Sequence, residues 1–251
     1  MSGGDNAKAE AQRLRDHKGG FLGSIFGAGR GKQEEAGELY TKAGNAFKFE
    51  KNWDQAAECF TEAAKCFIKA EGSTNDACTS FVEAANACKQ ASNTTGAIEA
   101  YGKAIEIYNE NGRFTQSARY YKEIGELYET ERNRVKAMEN FEQAAGIYGG
   151  DDKKSSANDC WKKVATLAAD SGDFRRAAEI FLKLAQDSLG SKLGAFSAKG
   201  YFLQAVLSHL AAGDSVAAGN VVNTGKNTDH SYPSSRECTF SEQLIEVWLG
   251  R

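Results

Sequence analysis

Small and large apolar residues alternate along this chain at a period of 40–41 residues, in two interleaved series. In the first, Ala56, Ala97, Ala137 and Ala177 are each followed four residues later by an aromatic: Phe60, Tyr101, Phe141 and Phe181. Further apolar pairs follow at seven and eight residues, such as Ala63 with Ala64 and Leu184 with Ala185. In the second, Ala36, Ala77, Ser117, Ala157 and Ala198 precede Tyr40, Phe81, Tyr121, Trp161 and Phe202 by the same four residues. Spacings of four, seven and eight place these side chains on one face of an α-helix. Two such helices per period predict stacked helical hairpins. The expected fold is all-α, a right-handed solenoid of tetratricopeptide-like antiparallel hairpins ending in a small helical bundle.

Punctuation supports the hairpins. Asn52, Asn93, Asn133, Asp173 and Asp214 each stand four residues before a small anchor residue, where an N-cap is expected. Asn111-Gly112, Gly149-Gly150 and Ser171-Gly172 read as turns or helix ends. The single proline, Pro233, leaves little to interrupt helices. Three regions follow: an N-terminal polar helix with a glycine-rich loop over 1–32, a hairpin array over 33–212, and a partial C-terminal helical region over 213–251. Within the last, residues 223–235 read as a loop.

Charge and chemistry narrow the picture by exclusion. A net charge of −3 over 251 residues gives no global case for nucleic acid, so any basic surface is local. No apolar run is long enough for a transmembrane helix, and the polar N-terminus lacks the apolar core of a secretion signal. Six cysteines form no CxxC pair and have no histidine at zinc-ligand spacing, so they read as reduced thiols and imply no metal or cofactor. The three histidines, His17, His209 and His230, fall in different regions, and no nucleophile-elbow, zinc-protease or phosphate-loop motif is present. A binding scaffold is therefore expected, not an enzyme.

Two features are left over from the repeat. The first is residues 19–32, with six glycines in fourteen positions, a composition that disfavours helix. Phe21, Leu22, Ile25 and Phe26 cluster there between Arg13, Arg15 and Lys18 on one side and Arg30 and Lys32 on the other. Apolar tips with basic flanks suit shallow insertion into an anionic bilayer surface. The alternative is a loop folded back over the open edge of the first hairpin. The second feature is a set of cations on the second-series helices and the turns before them, including Lys89, Arg113, Arg119, Lys122, Lys162, Lys163 and Lys199, with Arg236 beyond. They suit an elongated acidic partner such as a helical bundle, or else belong to a mixed solvated surface.

Phrases in order along the chain carry a resemblance. FLGSIFG at 21–27, NAFKFEKNWDQAAECF at 45–60, NGRFTQSARYYKEIGELYETE at 111–131, KAMENFEQAAGIY at 136–148, SSANDCWKKVA at 155–165, FSAKGYFLQA at 196–205 and SRECTF at 235–240 resemble the soluble NSF attachment proteins, the α-SNAP family. The resemblance implies an adaptor that binds assembled SNARE four-helix bundles of the syntaxin and synaptobrevin type. Several copies would act per bundle and recruit the hexameric ATPase NSF for SNARE disassembly in vesicle trafficking. It implies a cytoplasmic protein, peripheral on membranes through Phe21, Leu22, Ile25 and Phe26. It further implies that Lys89, Arg113, Arg119, Lys163, Lys199 and Arg236 face the SNARE bundle, and that Asp159 replaces a family lysine on that face. Family members extend beyond the point where this chain reaches Trp248-Leu249-Gly250-Arg251, so a missing segment or altered ATPase coupling is implied. The competing expectation is a tetratricopeptide-type co-chaperone or scaffold that binds peptide termini.

Overall fold

The computed structural model describes residues 3–16, 28–70, 72–190 and 192–250. Twelve α-helices and no strand occur among them. They are α1 Gly3–Asp16, α2 Ala28–Phe49, α3 Trp53–Lys69, α4 Thr74–Gln90, α5 Thr94–Glu110, α6 Phe114–Thr130, α7 Arg134–Gly150, α8 Lys154–Asp170, α9 Phe174–Ser188, α10 Lys192–Ala211, α11 Ser215–Thr228 and α12 Arg236–Trp248. The chain forms two compact units, Met1–Leu127 and Tyr128–Arg251, with the boundary inside the last turns of α6.

One residue links each even-numbered helix to the next. The backbone N–H groups of Asn52, Asn93, Asn133, Asp173 and Asp214 donate back to Phe47, Cys88, Tyr128, Ala168 and His209 carbonyls at 2.8–2.9 Å. Their side chains then accept from the backbone N–H three residues ahead at 2.8–3.4 Å. Each residue thereby satisfies an orphan carbonyl of one helix and an orphan amide of the next. The residue just before it takes positive φ in every case: Lys51 59°, Ser92 59°, Arg132 60°, Gly172 83° and Gly213 78°. Three of these five lack glycine's freedom. Arg132 is exposed and its side chain is not needed for the turn. We expect Arg132→Gly to stabilise the C-terminal unit by about 0.5–1 kcal/mol, the relieved left-handed strain less the added chain entropy. A lowered denaturation midpoint would contradict this.

The anchor residues lie where the period places them. Ala36, Ala56, Ala77, Ala97, Ser117, Ala137, Ala177, Ala198 and Ala218 are wholly buried, and Ala157 nearly so. Small residues there let helix axes approach, and the aromatics fill the space above. Glycine extends this on α2, where a Cβ at Gly44 would stand 2.8 Å from Phe60 and one at Gly37 2.8 Å from Phe67. Tyr121 and Trp161 depart from the pattern and are only half-buried. In the N-terminal unit, Ala11 of α1 closes a cluster with Ala36, Tyr40, Cys66 and Phe67. Ion pairs hold α1 in place: Lys8 to Glu58 at 2.7 Å and Arg15 to Glu62 at 2.6 Å. In the C-terminal unit, one cluster runs from Ala165 through Phe202 and Val222 to Tyr232 and Cys238. All six cysteines are buried thiols, and burial pushes that of Cys59 up to about 11.

Two expected boundaries move. Helix α2 begins at Ala28, five residues before the expected start at Gln33. Gly29 and Gly31 fall in its first turn, where glycine costs less than in a helix interior, and Arg30 Nε donates to the Ala70 carbonyl at 3.2 Å. Helix α11 runs to Thr228, through much of the segment expected as loop. The helix continues through the polar stretch Asn223–Thr228 because Val221 and Val222 before it and Gly225 within it are buried on the inner face. A Cβ at Gly225 would stand 2.6 Å from the Tyr232 ring.

Burial also sets an alkaline limit. The hydroxyls of Tyr40 and Tyr232 are fully enclosed, and burial pushes each pKa up to about 12. An unfolded tyrosine titrates near 10. The unfolded chain therefore loses these protons first, so their contribution is complete below pH of about 10 and is lost as pH rises towards about 12. Phenolate absorbance should appear together with the loss of helical circular dichroism. Ionisation of these rings in a fully helical protein would contradict the assignment.

Candidate partner-binding surface

In the N-terminal unit three expected cations meet around one stack of tyrosines. Tyr101 and Tyr108 lie two turns apart on α5, and Tyr120 of α6 packs against both. Ring centroids are 5.2 Å apart for Tyr101 and Tyr120, at 22°, and 5.7 Å apart for Tyr108 and Tyr120, at 11°. Lys89 Nζ lies 5.9 Å from the Tyr101 ring, Arg113 Cζ 5.9 Å from Tyr108, and Arg119 Cζ 5.8 Å from Tyr120. Each ring thus attracts one cation by its quadrupole, which biases long, exposed side chains towards these positions. Burial pushes the Tyr108 hydroxyl up to about 12 and the Tyr101 hydroxyl higher, so the stack stays neutral at physiological pH. The Tyr101 hydroxyl donates to Asn86 Oδ1 at 2.8 Å, tying the stack to α4.

The three cations differ in what else they touch. Arg113 Nη1 donates to Asn75 Oδ1 at 2.5 Å. Its backbone N–H donates to the Tyr108 carbonyl at 2.8 Å, so the turn before α6 sets its position. Lys89 Nζ pairs with Glu123 Oε2 at 2.6 Å. Arg119 is exposed and has no carboxylate partner among the described residues.

The C-terminal unit does not gather its cations in the same way. Lys163 of α8 pairs with Glu129 at 2.9 Å and lies 6.0 Å from the Phe141 ring. Arg236 is highly exposed and its Nε donates to Glu237 at 2.9 Å. That hydrogen bond holds the Glu237 carboxyl below the usual range, with Lys199 adding a weaker pull. Asp159 is exposed on α8 and lines a groove of about 520 Å³ with Asn158, Ser197 and Tyr201. Asp159 thus places an acid about one turn from Lys163 on α8. Phe21, Leu22, Ile25 and Phe26 lie outside the described residues. Sequence reasoning placed only Tyr101 of the three tyrosines, as a packing aromatic of the first series, and did not single out Tyr108, Tyr120, Asn75 or Glu129. The one available signal was tyrosine, not phenylalanine, at 101, 108 and 120.

No helix among the described residues is long and apolar enough to cross a membrane. None of their acidic, histidine or cysteine side chains form a group able to hold a metal ion. Both units are built of stacked helical hairpins with charged outer faces, which defines a helical-repeat protein of the tetratricopeptide type. A solved structure with that fold, a signal-transduction ATPase with a tetratricopeptide repeat sensor from Pyrococcus horikoshii, superposes with a TM-score of 0.53 at 14% identity, covering 87% of this chain and 34% of that one. The chain belongs to the soluble NSF attachment protein family, which it matches over residues 2–248. The α-soluble NSF attachment protein of Mus musculus is 39% identical over 240 residues, covering 95% of this chain and 80% of that protein. The vesicular-fusion protein SEC17 of Komagataella phaffii is 32% identical over 249 residues, covering 98% of this chain and 83% of its own length.

Proposed function

We propose that this protein is a non-catalytic adaptor in vesicle fusion that grips assembled SNARE four-helix bundles and couples them to the NSF ATPase. Family membership supports the attachment role. The observation that carries the contact surface is the convergence of Lys89, Arg113 and Arg119 on the Tyr101–Tyr120–Tyr108 stack. Cations fixed on a stiff scaffold lose little entropy when an acidic helix is laid against them. Lys163, Lys199 and Arg236 extend the contact on the C-terminal unit. Phe21, Leu22, Ile25 and Phe26 enter the bilayer surface. Four such side chains at about 1.5–3 kcal/mol each give weak, reversible attachment once the ordering of a glycine-rich segment is deducted. Several copies on one bundle multiply that attachment through effective concentration.

The test is binding to an assembled four-helix SNARE bundle and to its separate, unassembled chains across a salt titration. The adaptor reading expects preference for the assembled bundle, with affinity falling as salt rises. Preference for an extended peptide terminus would support the co-chaperone alternative. ATP-dependent disassembly with this chain as the only adaptor tests the coupling to NSF.

A further inference from the structure

We propose that Glu123 and Glu129 of α6 limit how strongly the acidic bundle is gripped, by holding Lys89 and Lys163 in intramolecular ion pairs that the partner must displace. The inference rests on the adaptor reading above and names the residues that tune it. The geometry behind it is periodic. Twelve residues after its anchor, an even-numbered helix presents a side chain to the one six residues after the anchor of the next even-numbered helix. Lys48 meets Glu83 in this way at 2.5 Å, counting from Ala36 and Ala77. Lys89 meets Glu123 at 2.6 Å, counting from Ala77 and Ser117. Glu129 meets Lys163 at 2.9 Å, counting from Ser117 and Ala157. The third rung has reversed polarity, because α6 carries a carboxylate at both offsets.

Two of the three rungs therefore consume cations expected to face the partner. A carboxylate touching an ammonium largely cancels the field that an incoming anion would feel, leaving a dipole in place of a charge. Side-chain exposure is 35% for Lys89 and 28% for Glu123, and 43% for Lys163 and 36% for Glu129. Pairs this open to water are individually weak and exchange readily for a stronger acidic partner. The rungs thus act as a tax on binding, not as a block. Arg119, over Tyr120 without a carboxylate partner among the described residues, is exempt.

The experiment measures affinity for an assembled four-helix SNARE bundle at low salt. Glu123→Gln keeps the side-chain shape and a hydrogen-bond acceptor for Lys89 but removes the charge. It should tighten binding about twofold to fivefold, and Glu123→Gln with Glu129→Gln should tighten it further. The gain must act through the lysine. In a Lys89→Met background Glu123→Gln should give no gain, and a gain of the same size there overturns the inference in favour of a general charge effect. Arg119→Glu is measured in parallel to separate the two readings. If Arg119→Glu weakens binding and Glu123→Gln leaves it unchanged or weaker, the inference fails and the adaptor surface stands. If neither substitution changes binding, both fail.

Discussion

Replacing Phe202 by alanine should lower the unfolding free energy of the C-terminal unit by about 3–5 kcal/mol, the range for an aromatic removed from a close-packed core. Phe202 of α10 is wholly buried, with Ala198, Ala205 and Val206 in the same cluster. Its ring lies 5.1 Å from that of Tyr232 at 53°, a tilted contact of the kind aromatic pairs favour. Tyr232 in turn fills the space left by Gly225 on α11. Ala198 and Ala205, held on the helix backbone, have little side chain with which to collapse into the void. The substitution should therefore sit at the upper end of the range, and Phe202→Leu should recover most of the loss. Denaturant unfolding followed by circular dichroism measures both. A loss below about 1.5 kcal/mol for the alanine variant would show that α10 can shift to close the cavity.

The second large effect is on binding. Arg113→Glu combined with Arg119→Glu should weaken bundle binding about tenfold to a hundredfold at low salt, with the difference shrinking as salt is added. Both side chains rest on the tyrosine stack, so the double change removes two ring-held cations and puts in their place carboxylates that the ring faces do not hold and an acidic partner repels. Arg236→Glu provides the contrast. Arg236 is highly exposed and hydrogen-bonded to Glu237, so much of its charge is already answered within the chain. The double change shifts net charge by four and Arg236→Glu by two, so its reversal should cost well under half the free energy of the double change. A loss of half or more from Arg236→Glu would indicate that net charge, not the stack-held geometry, governs the contact.

Much of the fold was legible in the sequence because helical packing is a local code. The small anchors, the aromatics four residues on and the Asn or Asp caps each follow from a spacing within one or two turns, and the burial and the cap hydrogen bonds agree. Boundaries read from composition moved. Glycines at 29 and 31 suggested loop, yet they fall in a helical first turn, and the polar run after Val222 suggested loop, yet its inner face is buried. The site was half legible. Charge and position pointed to Lys89, Arg113 and Arg119. Their gathering on Tyr101, Tyr108 and Tyr120 depends on α4, α5 and α6 meeting, and no single helix encodes that. The pairing of Lys89 and Lys163 with α6 was hidden for the same reason, since 34 residues separate the partners in each case.

Those same rungs write the order of the layers in charge. Deleting the 40-residue layer that contains α6 would bring the Lys89 offset against Lys163, cation against cation. Repeating that layer would set Glu129 against a second Glu123, carboxylate against carboxylate. Repeating the α4 layer instead would bring Lys89 to a second Glu83, a matched pair. The order of the layers is thus recorded in charge: copying the second keeps its rungs matched, whereas losing or doubling the third opposes like charges.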